Sequence, residues 1–149
     1  MMVNKYLSEE KMGEAREMVM GEGRELEGAL WRYYFEGGGG EGVLAALGAY
    51  QNGDGGFGRG LEPDFGAVGS SVLATTVALQ VLVAVGADES ERLVVGGMGY
   101  LEEQYRREEG WWLVPAIGKE VPAAPWWHGY GEGVEAGMWA ANPSLEVAG

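Results

Sequence analysis

The sequence predicts an all-α fold, and three observations lead to this prediction. Apolar residues recur at steps of three and four over most of residues 8–107, which is the period of helices that bury one face. Residue types that begin and end helices stand at the edges of these stretches. No stretch shows the two-residue alternation of apolar and polar side chains that indicates a half-buried strand.

The first helical pattern covers residues 8–35. Glutamate and arginine fill one face, and the other face carries apolar residues at helical spacing: Met12, Ala15, Met18, Val19, Leu26, Ala29, Leu30 and Tyr33. Gly21 and Gly23 interrupt the pattern, and a glycine costs about 1 kcal/mol relative to alanine inside a helix. We therefore predict a break near these two glycines.

A shorter helix is predicted over residues 41–51, and a glycine-rich loop follows over residues 52–69. A loop of this length inside a compact domain usually serves a function. We expect Asp54 to form an Asx turn. Asn52 and Asp54 do not indicate a calcium loop of the EF-hand type, because the glycine that such a loop requires would fall at Phe57.

The apolar stretch over residues 72–85 is the longest in the chain, at 14 residues. A bilayer span needs about 20 apolar residues, so we predict a buried core helix here. Ser70 or Ser71 is expected to cap its start, and Gly86 its end.

The next helix is predicted over residues 90–107, where Asp88 and Glu91 resemble a capping box. Its expected buried face consists of Leu93, Val94, Gly97, Met98, Leu101 and Tyr105. Residues 110–141 are rich in Trp, Gly and Pro and predict a second long loop, after which Asn142 and Pro143 begin another helix. The chain is therefore interpreted as a single all-α domain, residues 1–149, with about five helices.

Composition excludes several classes of function. The chain has no cysteine, so it has no thiolate metal site, thiol nucleophile or disulfide. A formal net charge of −13 without a basic run argues against nucleic acid and anionic membrane surfaces as partners. The first residues lack the apolar core of a secretory signal. We expect a cytoplasmic protein without a membrane span, and no metal or cofactor is predicted.

Two segments of the sequence look alike. In the first, Leu47 and Gln51 precede Gly55 and Phe57; in the second, Leu101 and Gln104 precede Gly110, Trp111 and Trp112. The two glutamines lie about 50 residues apart, which is the spacing of a repeated pair of helices. A glutamine at a helix end can bond to backbone groups that lack a partner there, and the aromatic residue can pack over it.

These segments resemble the QW repeat of the terpenoid cyclase and protein prenyltransferase superfamily, which includes squalene–hopene cyclases. Residues 50–80, together with the run from Ala124 to His128, look like a bacterial branch of prenyltransferase-like proteins of unassigned activity. The resemblance covers roughly residues 25–149. It implies an α/α toroid, in which inner helices surround an apolar cavity and outer helices pair with them. On this template the helix over residues 71–86 is an inner one, and the helices that end at Gln51 and Gln104 are outer ones.

The usual chemistry of this superfamily has no counterpart in the sequence. The DxDD motif of the cyclases is absent, and so is the DDxxD cluster that binds Mg²⁺ for diphosphate chemistry. The prenyltransferase zinc site uses Asp, Cys and His, but this chain has no cysteine and one histidine. The residues that match the repeat are therefore interpreted as architectural.

Three residues are candidates for acid–base catalysis: Glu62, Asp64 and His128. Apolar neighbours raise the pKa of a carboxyl group, and Glu62 and Asp64 stand beside Leu61 and Phe65. The alternative is that both are ordinary loop carboxylates, which the N-terminus of the following helix stabilises or which pair with Arg59. His128 is the only histidine, and its alternative role is that of a hydrogen-bonded packing residue.

Aromatic residues are candidates for contacting an apolar ligand or a cationic intermediate. The residues assigned to this role are Phe57, Phe65, Trp111, Trp112, Trp126 and Trp127, and Trp139 belongs to the same tryptophan-rich region. The alternative is that these large side chains fill the core of a loop-rich half. Glycine-rich runs here do not have the strand–turn–helix setting of a nucleotide site.

The leading functional hypothesis is a toroid-like protein that binds an isoprenoid or other apolar ligand in a Trp-lined cavity, with Glu62 or Asp64 as the acid if it is an enzyme. Two alternatives are a non-catalytic binding or assembly module and a carbohydrate-binding or carbohydrate-cleaving protein. A full toroid needs about ten to twelve helices by this resemblance. We therefore expect a homodimer or a missing C-terminal half, because an open half leaves apolar surface uncovered.

Overall fold

The computed structural model describes residues 7–107 and 120–128, and in these ranges it confirms the all-α prediction. Within residues 7–107 and 120–128, five helices and one further helical turn are present, and the only β-type pairs are isolated bridges in loops. The chain divides into two compact units, of which the first ends at Ala46 and the second begins at Leu47.

The first unit contains a helical hairpin of α1 (Glu9–Glu22) and α2 (Glu25–Phe35). The predicted break is confirmed at Gly23, whereas Gly21 continues α1. A Cβ atom at Gly23 would collide with the carbonyl oxygen of Val19, so the tight turn at this position requires glycine. The hairpin is tied further by an ion pair between Arg16 and Glu36, with 2.6 Å between Nε and Oε1.

Helix α3 (Gly40–Gly48) ends three residues before the predicted end at Gln51. After Gly48 the chain tightens into a turn, in which the Tyr50 amide donates to the Leu47 carbonyl at 3.0 Å. Gln51 then forms an antiparallel bridge with Phe57. Pairing with the following loop replaces the last turn of the predicted helix.

Helix α4 (Val72–Ala84) begins as predicted after Ser71, whose hydroxyl accepts from the Ala74 amide at 3.0 Å. Six of its 13 residues are buried, whereas Val83 is 80% exposed. The left-handed conformation of Gly86, with φ of 69°, ends this segment. No helix within residues 7–107 or 120–128 combines the length and apolar character needed to cross a bilayer.

Helix α5 (Arg92–Gln104) is shorter at both ends than predicted. The expected capping box is wrong, because Asp88 accepts from the hydroxyl and amide of Ser90 and so turns the chain before the helix. These two bonds hold the pKa of the Asp88 carboxyl below its usual range. The buried face includes Tyr100, which was not expected there, whereas the predicted members Met98 and Tyr105 are about half exposed.

A final helical turn, α6 (Pro125–His128), interrupts the second predicted loop. Proline suits the first position of a helix because it has no amide hydrogen to leave unsatisfied. Trp111, Trp112, Trp139 and the helix expected after Pro143 lie outside the described residues.

Candidate functional site

The predicted functional loop is held in a defined conformation by polar side chains. Asp54 accepts from the Gly56 amide at 3.0 Å, which confirms the predicted Asx turn, and also from the Ser70 hydroxyl at 2.8 Å. Asn52 donates to the Ser70 hydroxyl and accepts from Arg59 at 2.9 Å. Side chains from the start of the loop therefore bind directly to its end.

Gln51 connects this loop to α5. Its amide nitrogen donates to the carbonyls of Gly55 at 2.9 Å and Leu93 at 3.3 Å, and its amide oxygen accepts from Arg92 at 3.1 Å. The backbone groups that the Gln51 side chain binds therefore belong to the loop and to α5, and not to the end of α3. No corresponding contacts of Gln104 occur within the part of the chain that the structure describes.

Glycine allows the loop backbone to lie directly on α5. A Cβ atom at Gly55 would lie 2.6 Å from the Gly96 carbonyl oxygen, and one at Gly56 would lie 2.6 Å from the Tyr100 ring. Gly97 allows Leu79 and Phe57 to approach the same helix. Close packing thus explains Gly96 and Gly97 inside α5, where glycine is otherwise unfavourable, whereas a Cβ atom at Gly99 would meet nothing within 4 Å.

Tyr100, which lies under this loop, gives a test of the packing by pH. Burial first, and the negative charge of Asp54 second, raise the pKa of its phenol to about 12 from an ordinary 10.0. The folded state therefore favours the neutral phenol, so this contribution to stability is complete below pH 10 and falls as the pH rises toward 12. We expect the free energy of unfolding to decline in this range.

Urea unfolding at a series of alkaline pH values would measure this decline. Tyr100→Phe should remove part of the alkaline slope, because phenylalanine has no proton to lose. Tyr34→Phe is the control, since Tyr34 is 54% exposed. Equal slopes for the two variants would contradict the assignment.

Phe57 is completely buried, with 0% of its surface exposed. Its amide donates to the Thr75 hydroxyl at 3.0 Å, and its backbone also pairs with Ser71. This enclosure is the environment of a core residue, in which a ligand from solvent does not reach the ring. This position agrees with the alternative role of Phe57, in which its ring fills the core and does not contact a ligand.

The structure brings two predicted segments together, around Asp64 and around Trp127. The Ala124 amide donates to the Asp64 carbonyl at 2.8 Å, and Phe65 forms a bridge with Ala123. The rings of Phe65 and Trp127 pack edge to face, with centroids 5.4 Å apart. Both rings are almost fully buried and form a small hydrophobic cluster with Ala67.

The predicted acid pair lies in a segment that this cluster anchors, and the Oδ1 atom of Asp64 is buried there. Glu62 and Asp64 are both of intermediate exposure. His128 ends α6, but its side chain and that of Trp126 are outside what is described. The backbone therefore brings the Glu62–Asp64 and His128 segments close in the fold, and their catalytic roles stay predictions.

An apolar groove lies between α4 and α5 in the second unit. Its volume is about 360 Å³, and we call it the α4–α5 groove. Its lining residues are Thr76, Leu79, Gln80, Val83, Met98 and Leu101. None of the predicted catalytic or ligand-binding residues belongs to this lining, although the sequence did predict an uncovered face on this helix.

A second groove, which we call the outer α5 groove, adjoins the first along α5. Its volume is about 750 Å³, and Met98 and Leu101 line both grooves. Its other apolar walls are Val94, Val95 and Tyr105, and its carboxylates are Glu89 and Glu102. Val95 is 58% exposed and Met98 is 52% exposed, so apolar surface is open to solvent along one side of α5.

The first unit has a hollow of its own, with a volume of about 390 Å³. Trp31 and Phe35 form its aromatic wall, and their ring centroids lie 4.6 Å apart. Arg16 and Glu36 lie at the same hollow, and the Trp31 indole donates to Glu36 at 3.2 Å. Exposed aromatic faces beside fixed polar groups suit a ligand with both apolar and hydroxyl-bearing surfaces.

Comparison with known proteins leaves the family open. A scan against family models found no match, and searches of curated proteins and of solved structures found no similar protein. Among the residues that the structure describes, no three His, Asp or Glu side chains are grouped so that they could hold a metal ion. The similarity to the QW-repeat superfamily therefore stays a prediction from the sequence.

Proposed function

We propose that this chain is a toroid-like helical protein that binds an isoprenoid or similar apolar ligand in the α4–α5 groove, without transforming it. The observation that carries the proposal is the groove itself, because apolar side chains from two helices form its walls. Most small-molecule sites are hollows with largely apolar walls and a few polar groups, and here Thr76 and Gln80 are the polar groups.

The exposure of the groove supports a ligand more than a purely structural role. Val83 is 80% exposed at its edge, and Met98 is 52% exposed between the two grooves. Apolar surface of this kind is costly in water, and covering it is worth about 25 cal/mol per Å². An elongated apolar molecule in these grooves would remove that cost.

The position of the candidate acids supports binding over catalysis. Neither Glu62 nor Asp64 lines the α4–α5 groove, so neither carboxylate stands at the proposed ligand. A general acid must lie within hydrogen-bonding reach of the group that it protonates. Acid catalysis at this groove would need a group from elsewhere, and the motifs that usually supply one are absent from the sequence.

Calorimetric titration with farnesol, a prenyl alcohol with one apolar chain, would test the proposal. We expect saturable binding by the unmodified chain. The double variant Val83→Gln, Met98→Gln should weaken it at least about tenfold, because burial of one such side chain is worth about 1.5–3 kcal/mol. The matched control is Val68→Gln, since Val68 is 72% exposed and lies outside the groove.

Other results of the same experiment would contradict the proposal. Binding of a cello-oligosaccharide that Trp31→Ala abolishes, without binding of farnesol, would favour carbohydrate recognition in the first unit. Light scattering should be measured in parallel. A dimer that Val83→Gln, Met98→Gln converts to a monomer, again without farnesol binding, would show that a second copy covers this face.

A further inference from the structure

The charge at the outer α5 groove indicates which polar group an apolar ligand would carry. The groove contains Glu89 and Glu102, and no lysine, arginine or histidine is among its described lining residues. Carboxylates attract a cationic group and repel an anionic one. The α4–α5 groove, which adjoins it, adds the neutral polar groups of Thr76 and Gln80 and no charge of either sign.

We propose that these adjoining grooves select an apolar chain with a cationic ammonium end group and disfavour a diphosphate end group. This inference rests on the proposed function, since it assigns the chemistry of the ligand for the same grooves. The apolar chain would lie across Met98 and Leu101, which line both hollows. Its ammonium group would lie beside the carboxylate of Glu89, before the start of α5, or beside that of Glu102, near its end.

A diphosphate end group carries negative charge, so the carboxylates in these grooves would repel it. Proteins hold diphosphate with arginine, lysine, Mg²⁺ or the amides of a helix N-terminus. The lining supplies two carboxylates in place of such groups, and the whole chain carries a formal charge of −13. A multiply charged anion would therefore be repelled both locally and by the overall field.

Three ligands with the same farnesyl chain separate the contribution of the end-group charge to the affinity from that of the apolar chain. They are farnesylamine, farnesol and farnesyl diphosphate, each titrated by calorimetry below the concentration at which it forms micelles. We expect farnesylamine to bind about fivefold more tightly than farnesol, as an exposed ion pair allows. Farnesyl diphosphate should bind at least about fivefold more weakly than farnesol. Raising the salt concentration should reduce both differences.

Charge variants on α5 locate the effect. Glu89→Gln, Glu102→Gln should remove the preference for the amine over farnesol. The matched control is Glu89→Gln, Glu103→Gln, because it removes the same overall charge while keeping Glu102, and Glu103 does not line the groove. The control should therefore keep part of the preference. Circular dichroism would verify that each variant is folded.

Failure of this inference differs from failure of the proposed function. If none of the three ligands binds, the proposed function itself is overturned. If farnesol binds but the diphosphate binds equally well or better, only the selection for a cation is overturned. A preference for the amine that is identical in both double variants would place the cation elsewhere and would also overturn this inference.

Discussion

Gly58→Ala is expected to destabilise the protein by about 2–3 kcal/mol, as overpacking a fixed site does. A Cβ atom at this position would fall well inside 3.0 Å of the Gly69 carbonyl oxygen, a separation that real Cβ atoms essentially never show. The three nearest atoms all belong to the backbone of Val68 and Gly69, so no side-chain rotation relieves the collision. The midpoint of urea unfolding would measure the loss.

Backbone hydrogen bonds prevent the loop from opening to accept this methyl group. The Gly58 amide donates to the Tyr50 carbonyl at 3.0 Å, and the next amide, of Arg59, donates to the Val68 carbonyl at 3.1 Å. On the opposite side, the Ser71 amide donates to the Phe57 carbonyl at 3.0 Å. Moving the backbone at Gly58 away from the backbone at Gly69 would break at least one of these bonds.

Gly53→Ala is the matched control, because it makes the same chemical change in the same loop. Nothing lies within 4 Å of a Cβ atom at Gly53, and the residue does not have a positive φ. Its effect should stay within about 0.5 kcal/mol. If Gly58→Ala had an equally small effect on the free energy of unfolding, this would contradict the close approach of the Gly58 and Gly69 backbones.

Local patterns explain which parts of the fold could be predicted from the sequence. Ser71 and Gly86 mark the ends of α4 because a cap and a stop act on adjacent residues. The Asx turn at Asp54 likewise involves an amide only two residues away. Such features depend on sequence neighbours, so a single sequence is sufficient to predict them.

Some errors arise where distant residues decide the local conformation. Helix α3 ends early because Gln51 binds Gly55 and Leu93, the latter 42 residues away. The error at Asp88 has a different, local cause: Asp88 and Glu91 have the spacing of a capping box, but Ser90, only two residues away, donates to the Asp88 carboxylate. Local spacing leaves both of these alternatives open.

At the candidate site, too, the sequence predicts some features, and tertiary packing decides the others. The resemblance implied an uncovered face on the apolar helix, because an open half of a toroid leaves one side of its inner helix uncovered. The grooves themselves depend on where α5 packs, which leaves Met98 half exposed although its position in the helical pattern predicts burial. Phe57 and Phe65 were predicted as ligand contacts from their residue type alone, and the structure encloses both.

Thr75→Val is expected to destabilise the protein by about 1–3 kcal/mol, the cost of leaving a buried amide unsatisfied. Thr75 is fully buried in α4, where its hydroxyl donates to the Ser71 carbonyl at 2.7 Å and accepts from the Phe57 amide at 3.0 Å. Valine keeps the shape but cannot accept a hydrogen bond. Urea unfolding would measure the loss, and hydrogen exchange of the Phe57 amide would locate it.

Thr76→Val separates this effect from the general cost of removing a buried hydroxyl. Thr76 is 4% exposed, and its hydroxyl only donates to the Leu73 carbonyl, at 2.8 Å. That carbonyl also lies within the hydrogen-bonded helix, so Thr76→Val leaves no amide unsatisfied and should cost less than about 1 kcal/mol. Faster exchange at Phe57 in Thr75→Val but not in Thr76→Val would establish that one hydroxyl of α4 holds the loop. Equal exchange in both would contradict this, and the loop would then depend on its glycines and on Asp54 alone.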